Sequence, residues 1–313
     1  MIFFFFYDII IRIIKVSKEY SMNYIIENEF LKVEISSLGA ELMSILKKDD
    51  GCEYLWQGDK TYWGGRAPNM FPICGRLYEG KYTYLGKEYS MPNHGIARSS
   101  EFTLTMAKAD SITLTLTSNE ESYKKYPFNF KYDITFALSG NQLTVSYKVV
   151  NLDEKEMIFA IGAHPAFNVP LDKGCSFDDY YVELSSPCDA IRVDFSPSCY
   201  CTNNDKPFRD NKVQRIDLDH SLFDDDAIFL YNVSKEIKLA SNKSSRSVTL
   251  KYEGMKYLGL WHTPKTDAPY ICIEPWTSIP ATDGTVDNLL TKKEMVHLPK
   301  NYIYKNKYSI TIC

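Results

Sequence analysis

The sequence has little that reads as helix. Only residues 119–126 and 287–295 carry a pattern suited to a short helix, and no strand-then-helix alternation recurs. That argues against a parallel α/β sheet, whose crossovers require such alternation. Neither GxGxxG nor GxxxxGK[ST] occurs, so the usual cradles for nucleotide phosphates are absent. HExxH and GxSxG are missing as well. Basic surplus is also lacking: 36 Lys and Arg stand against 40 Asp and Glu, a net charge of −4. A protein that grips nucleic-acid phosphates usually shows the opposite balance, so nucleic acid is not an expected partner. No Pro/Gly/Ser-rich linker divides the chain, and no internal repeat is present. The eight cysteines include no CxxC pair, and Cys199 and Cys201 form a lone CxC. A structural zinc site is therefore not expected. Scattered thiols fit a reducing compartment, and a cytoplasmic location is the expectation. Cys74 and Cys272 lie in apolar runs and read as small buried hydrophobes.

What the sequence does have is alternation. Residues 31–36 (LKVEIS), 102–107 (FTLTMA), 112–117 (ITLTLT), 132–138 (YDITFAL), 143–149 (LTVSYKV) and 247–252 (SVTLKY) switch between apolar and polar at every step. That is the pattern of half-buried strands. Ser139-Gly140-Asn141 separates two of them and predicts a hairpin. Residues 199–221 are polar and are expected to form a long loop. The fold expected is one large, all-β, mostly antiparallel domain of the sandwich type, covering residues 22–313. Residues 1–21 stand apart. Their apolar run, MIFFFFYDIIIRIIKV, is broken by Asp8 and Arg12 and is short for a membrane span. It also lacks the basic start and small-residue cleavage site of a signal peptide. It reads as an extension outside the fold, the alternative being a membrane-associating tail.

Three segments set a titratable residue beside Pro or Gly in apolar surroundings. Residues 158–170 (IFAIGAHPAFNVP) read as an apolar strand running into His164, which Pro165 biases toward extended backbone. Taken alone, His164 reads first as a histidine satisfied by a backbone hydrogen bond. In residues 270–276 (YICIEPW), alternation sends Tyr270, Cys272 and Glu274 to one face and Ile271 and Ile273 to the other. A carboxylate in such a run loses solvation, which raises its pKa toward the range of a general base. A buried ion-pair partner is the plainer alternative. Between Arg66 and Arg98, RAPNMFPICGR and MPNHGIAR place Arg76 after Gly75 and His94 before Gly95. Glycine there fits close approach of backbone to a ligand, or two ordinary turns.

In combination these segments resemble the aldose 1-epimerase (galactose mutarotase-like) family, most closely its LacX-type branch. The resemblance begins at Asn28-Glu29-Phe30-Leu31 and Leu38-Gly39-Ala40-Glu41-Leu42 and continues through Tyr54-Leu55-Trp56-Gln57-Gly58 and Phe71–Leu77 (FPICGRL). It then takes in His94-Gly95-Ile96-Ala97-Arg98, Tyr126-Pro127-Phe128, Gly162–Asn168 (GAHPAFN), Phe223–Phe229 (FDDDAIF), Leu258-Gly259-Leu260-Trp261 and Cys272–Trp276 (CIEPW). Each motif is weak alone, but their order and spacing hold from about residue 23 onward.

The resemblance implies a β-supersandwich with an open cleft for a free sugar and no metal or organic cofactor. It implies that His164 is the general acid that protonates the ring oxygen and Glu274 the base that takes the C1 hydroxyl proton. Arg76 and His94 would bind sugar hydroxyls. Asp226 would hold ring hydroxyls, an assignment that a short slip would move to Asp224 or Asp225. Trp276 and Phe167 are candidates to pack the sugar's apolar face. The expected reaction is interconversion of the α and β anomers of an aldohexose. The segment His94–Arg98 also resembles the hexose-6-phosphate branch, where Arg66 or Arg98 would contact a phosphate. A non-catalytic sugar-binding protein on the same fold is the alternative from another class.

Overall fold

The computed structural model describes residues 21–313 and, ahead of them, the short strand Ile13–Lys15. Five of the six alternating segments, all but residues 31–36, fall in the largest sheet. Its nine strands run in the order Val213–Asp217, Tyr180–Cys188, Glu236–Ser241, Ser244–Tyr252, Ile303–Ile312, Gln142–Asn151, Phe130–Ser139, Ser111–Thr117 and Thr103–Lys108. Every described pairing within it is antiparallel. The predicted hairpin is present: Ser139 pairs with Gln142 across a two-residue loop. Gly140 opens that loop at φ 57°, a conformation that suits glycine at the first position of a tight hairpin turn.

A second sheet carries the site. Its path is Lys206–Pro207, Ile191–Arg192, Ile228–Tyr231, Tyr257–Trp261, Tyr270–Trp276, Gly162–Ala163 and Asn69–Met70, with Ala166–Asn168 also pairing to Tyr270–Trp276. The sheets share one core, in which Ile134 and Val145 of the first cluster with Leu258, Ile271 and Ile273 of the second. Burying each such side chain contributes roughly 1.5–3 kcal/mol. Tyr270 and Cys272 instead join a separate apolar group with Trp56 and Ala166, so the alternation read from YICIEPW is realised. Cys74 and Cys272 are buried, and all eight cysteines are free.

Two expectations need correction. Residues 119–126 do hold a helix, Glu120–Lys125, capped by the Asn119 side chain on the Ser122 N–H. Residues 287–295 do not. Asp287–Asn288 pairs in parallel with Tyr82–Thr83, and the turn that follows on the Asn288 carbonyl stops before Glu294, which is left-handed at φ 58°. Lys292 turns back to a buried ion pair with Asp287 at 2.7 Å, which holds the segment as a closed turn. The polar stretch 199–221 is not one loop either, since it contains the strands Lys206–Pro207 and Val213–Asp217.

Strand Met22–Glu27 lies in a four-stranded sheet between Leu31–Ser36 and Ile13–Lys15. Ser37 fastens its start twice, accepting the Met22 N–H through Oγ and donating its own N–H to the Met22 carbonyl. The remainder of residues 1–20, including the apolar run from Met1, lies outside the described residues. Among the described residues, no helix is long and apolar enough to cross a membrane. We propose that residues before Met22 are dispensable. A chain beginning at Met22 is expected to unfold cooperatively within a few degrees of the full chain in a thermal melt. Aggregation or a non-cooperative melt would assign residues 1–21 to the fold.

Candidate active site

The site starts from a register. Tyr257–Trp261 lines one edge of Tyr270–Trp276, with Gly259 opposite Glu274. A side chain at Gly259 would press on Glu274, since a Cβ there would lie 3.2 Å from that of Glu274 and 2.7 Å from the Phe229 ring. Two short segments share the other edge: Gly162 faces Trp276, and Ala166 faces Cys272. The same register carried across the gap sets His164 opposite Glu274. Pro165 and Pro275 have no N–H to give, so the ladder stays open there. Ile273 N–H to the Pro165 carbonyl (3.1 Å) and Thr277 N–H to the Ile161 carbonyl (3.0 Å) pin the strands on either side. His164 Nε2 lies 3.3 Å from Glu274 Oε2.

Both groups are nearly dry, at 8 % exposure for His164 and 1 % for Glu274. His164 Nδ1 and Glu274 Oε2 have no hydrogen-bond partner among the described residues. Burial lowers the His164 pKa to about 3, with the Arg98 charge adding to the effect. Burial likewise raises the Glu274 carboxyl well above its ordinary value, helped by the Asp226 charge and opposed by the nearby Trp276 indole. Both shifts favour a protonated Glu274 beside a neutral His164. Trp63 stacks on the His164 ring (4.9 Å between centroids, 25° between planes), while Trp261 and His94 meet it edge-on at 5.7 and 5.6 Å. These rings fix the imidazole's plane.

The pair forms part of the wall of a cavity of about 290 Å³, close to the small end of the range for small-molecule sites, roughly 300–1,000 Å³. Arg76, His94 and Asp226 line it too, so the five sequence-predicted residues come together. His94 is held by a reciprocal pair: its N–H bonds to the Gly75 carbonyl (2.9 Å), and its Nδ1 accepts the Gly75 N–H (3.1 Å). Burial keeps the ring neutral, so Nε2 carries the hydrogen and is the ring's remaining donor. His94 and Gly95 are both left-handed, at φ 64° and 78°. A Cβ on Gly95 would lie 2.2 Å from the Phe71 carbonyl oxygen. The glycine is thus required by backbone packing rather than by a ligand.

Asp224 and Asp225 are exposed, whereas Asp226 is half-buried and left-handed at φ 74°. Its Oδ1 accepts the Trp261 indole N–H (2.7 Å) and its Oδ2 the Cys199 thiol (2.6 Å). Asp225 also borders the cavity. Arg76 is exposed and donates to the Ser198 carbonyl at 3.2 Å. Of the two arginines considered for phosphate, Arg98 lines the cavity, and Arg66 does not: it is tied to Gln57 and the Met43 carbonyl. Trp276 lines the cavity, while Phe167 is fully buried in the main core.

Sequence reasoning missed Trp63, Trp261 and Cys199 as site residues. None stands in a pattern that signals chemistry; their roles come from what they touch. It also found no metal-ligand cluster, yet His164, Cys272 and Glu274 bring one ligand atom each to within 4.8 Å of one another. They could hold a soft divalent ion, but burial keeps the Cys272 thiol and the Glu274 carboxyl protonated, and binding would have to displace both protons.

The family model described as aldose 1-epimerase matches residues 22–285. The chain is 37 % identical over 299 residues to the plasmid-encoded protein LacX of Lactococcus lactis subsp. lactis, covering 92 % of this chain and 98 % of that protein. Among solved structures it is similar to a galactose mutarotase related enzyme from Lactobacillus acidophilus, with TM-score 0.88, 34 % identity, and 93 % of this chain and 97 % of that one covered. A galactose mutarotase-like protein from Lactobacillus casei ATCC 334 gives TM-score 0.87 and 33 % identity, with 93 % and 100 % covered.

Proposed function

Because the chain belongs to the aldose 1-epimerase family, we propose that it interconverts the α and β anomers of a free aldohexose by acid–base opening of the ring at C1. The observation that carries this reading is the desolvated His164–Glu274 pair, 3.3 Å apart in the wall of a sugar-sized cavity. Ring opening takes a proton from O1 and delivers one to O5. Glu274 as carboxylate accepts the first and His164 as imidazolium gives the second, which leaves the pair neutral. Burial disfavours the charged pair, so the same proton transfers that open the ring also remove a buried charge separation. After the C1–C2 bond rotates, the neutral pair runs the steps in reverse: Glu274 returns a proton to the aldehyde oxygen and His164 takes the one on O5. Arg76, His94 and Asp226 supply directed hydrogen bonds that hold the rest of the sugar. The free thiols fit a cytoplasmic location.

A phosphorylated substrate is the second reading, because Arg98 borders the cavity. The charge there favours the neutral sugar: Asp225 and Asp226 stand against Arg76 and Arg98, which leaves no positive surplus for a dianion. A sugar-binding protein without turnover has no use for the acid–base pair.

His164→Asn and Glu274→Gln are each expected to lower kcat by roughly 10²–10⁴-fold, with a smaller effect on KM. The double variant should be little worse than either, since the groups act as a unit. Polarimetry on fresh α-D-glucose and α-D-galactose measures this, and wild-type turnover in either single variant contradicts the assignment.

The pair works with one shared proton. A second proton on His164 removes the base at low pH, and loss of the last proton from Glu274 removes the acid at high pH. His164 is depressed to about 3 and Glu274 is raised, so kcat/KM, corrected for spontaneous mutarotation, should stay flat through the ordinary histidine range. An acid limb centred near pH 6.5 would show that His164 titrates as an exposed imidazole.

For substrate choice, kcat/KM should be higher for glucose than for glucose 6-phosphate at fixed ionic strength. Arg98→Ala should affect both alike. A wild type that strongly prefers the phosphorylated sugar, and a variant that loses the preference, would establish the phosphate reading instead.

A further inference from the structure

We infer that Cys199 is a positioning residue, whose thiol fixes the Asp226 carboxylate in the orientation that receives a sugar hydroxyl; this rests on the epimerase reading of the cavity. Asp226 is the carboxylate of the half-buried rim, and each of its oxygens has one protein donor: the Trp261 indole on Oδ1 and the Cys199 thiol on Oδ2. A carboxylate oxygen has two lone-pair directions, so one remains on each for a ligand. With both donors in place the carboxylate plane cannot turn; with one it can swing about the other.

The chain is built to bring the thiol there. Residues 196–200 form a tight loop, in which the Cys199 N–H bonds to the Ser196 carbonyl (2.8 Å) and the Ser196 N–H to the Tyr200 carbonyl (2.8 Å). Cys199 is left-handed at φ 61°. The next residues anchor the loop: Cys201 N–H bonds to the Ala281 carbonyl (2.9 Å), and the Asp283 N–H returns to the Cys201 carbonyl (2.9 Å). Arg76, itself at the cavity, holds the Ser198 carbonyl. The thiol is a donor only while protonated, and burial together with the Asp226 carboxylate pushes it up to about 11. Cys199 therefore differs from a reactive thiol: its environment suppresses the thiolate and keeps the hydrogen on sulfur.

Two measurements test this. In sugar kinetics, Cys199→Ala should raise KM roughly three- to tenfold, the range expected for loss of one ordinary hydrogen bond, with kcat nearly unchanged. Cys199→Ser restores an O–H donor and should recover part of the loss, which a purely packing role would not predict. The second readout needs no turnover. Alkylation of Cys199 by iodoacetamide, followed by peptide mass spectrometry against pH, reports its thiolate fraction. Asp226→Asn removes the charge that holds the proton on sulfur, so its alkylation should become faster at a given pH and its profile should shift to lower pH. An unchanged KM in Cys199→Ala, or an alkylation profile indifferent to Asp226→Asn, overturns the inference. If no tested sugar is turned over, the epimerase reading fails while the alkylation comparison still decides whether Cys199 and Asp226 are coupled.

Discussion

Between Gly162 and Ala166 the chain runs beside the Tyr270–Trp276 strand in antiparallel register without closing the ladder, because Pro165 and Pro275 offer no N–H at that rung. The arrangement of the site depends on this register. His164 and Glu274 fall in it as a non-hydrogen-bonded pair, where side chains of neighbouring strands come closest. The sheet aligns the two groups, and His164 Nδ1 and Glu274 Oε2 have no hydrogen-bond partner among the described residues. Their separation is set by strand spacing rather than by loop conformation, and rigid elements hold reacting groups more precisely than loops do.

The same placement sets the electrostatics. Tyr270–Trp276 is buried along its whole length, so Glu274 is withdrawn from water, and Gly259 opposite leaves it room. A charge there is costly and a proton is retained. His164, sandwiched by aromatic rings, refuses the proton for the same reason. The two shifts run in opposite directions from one cause, which leaves a neutral pair able to exchange two protons with a ligand while its own proton count returns to the start.

Much of this was legible in the sequence, for physical reasons. Strict alternation in ITLTLT, LTVSYKV and SVTLKY cannot be mistaken for a helical period, and the nine-stranded sheet is built on it. His164 and Glu274 were visible because each ends an apolar run at a proline. Asp226 was less so: three adjacent aspartates carry no periodic signal, and what sets Asp226 apart is a left-handed backbone and two donors distant in sequence. Trp63 stacks on His164 from a glycine-flanked turn that has no motif. Residues 287–295 failed as a helix because a buried Lys292–Asp287 pair and a parallel bridge outweighed local preference.

His94, Cys199 and Asp226 all sit on left-handed turns, whereas His164 and Glu274 are carried by the sheet and its open rung. The turns reach the cavity from three separate connections, each anchored locally. Over descent, the rim and the reacting pair are therefore free to change at different rates. Insertions and substitutions in the connections can alter which sugar is held without disturbing the strand register, while any change at the open rung touches the core of the domain.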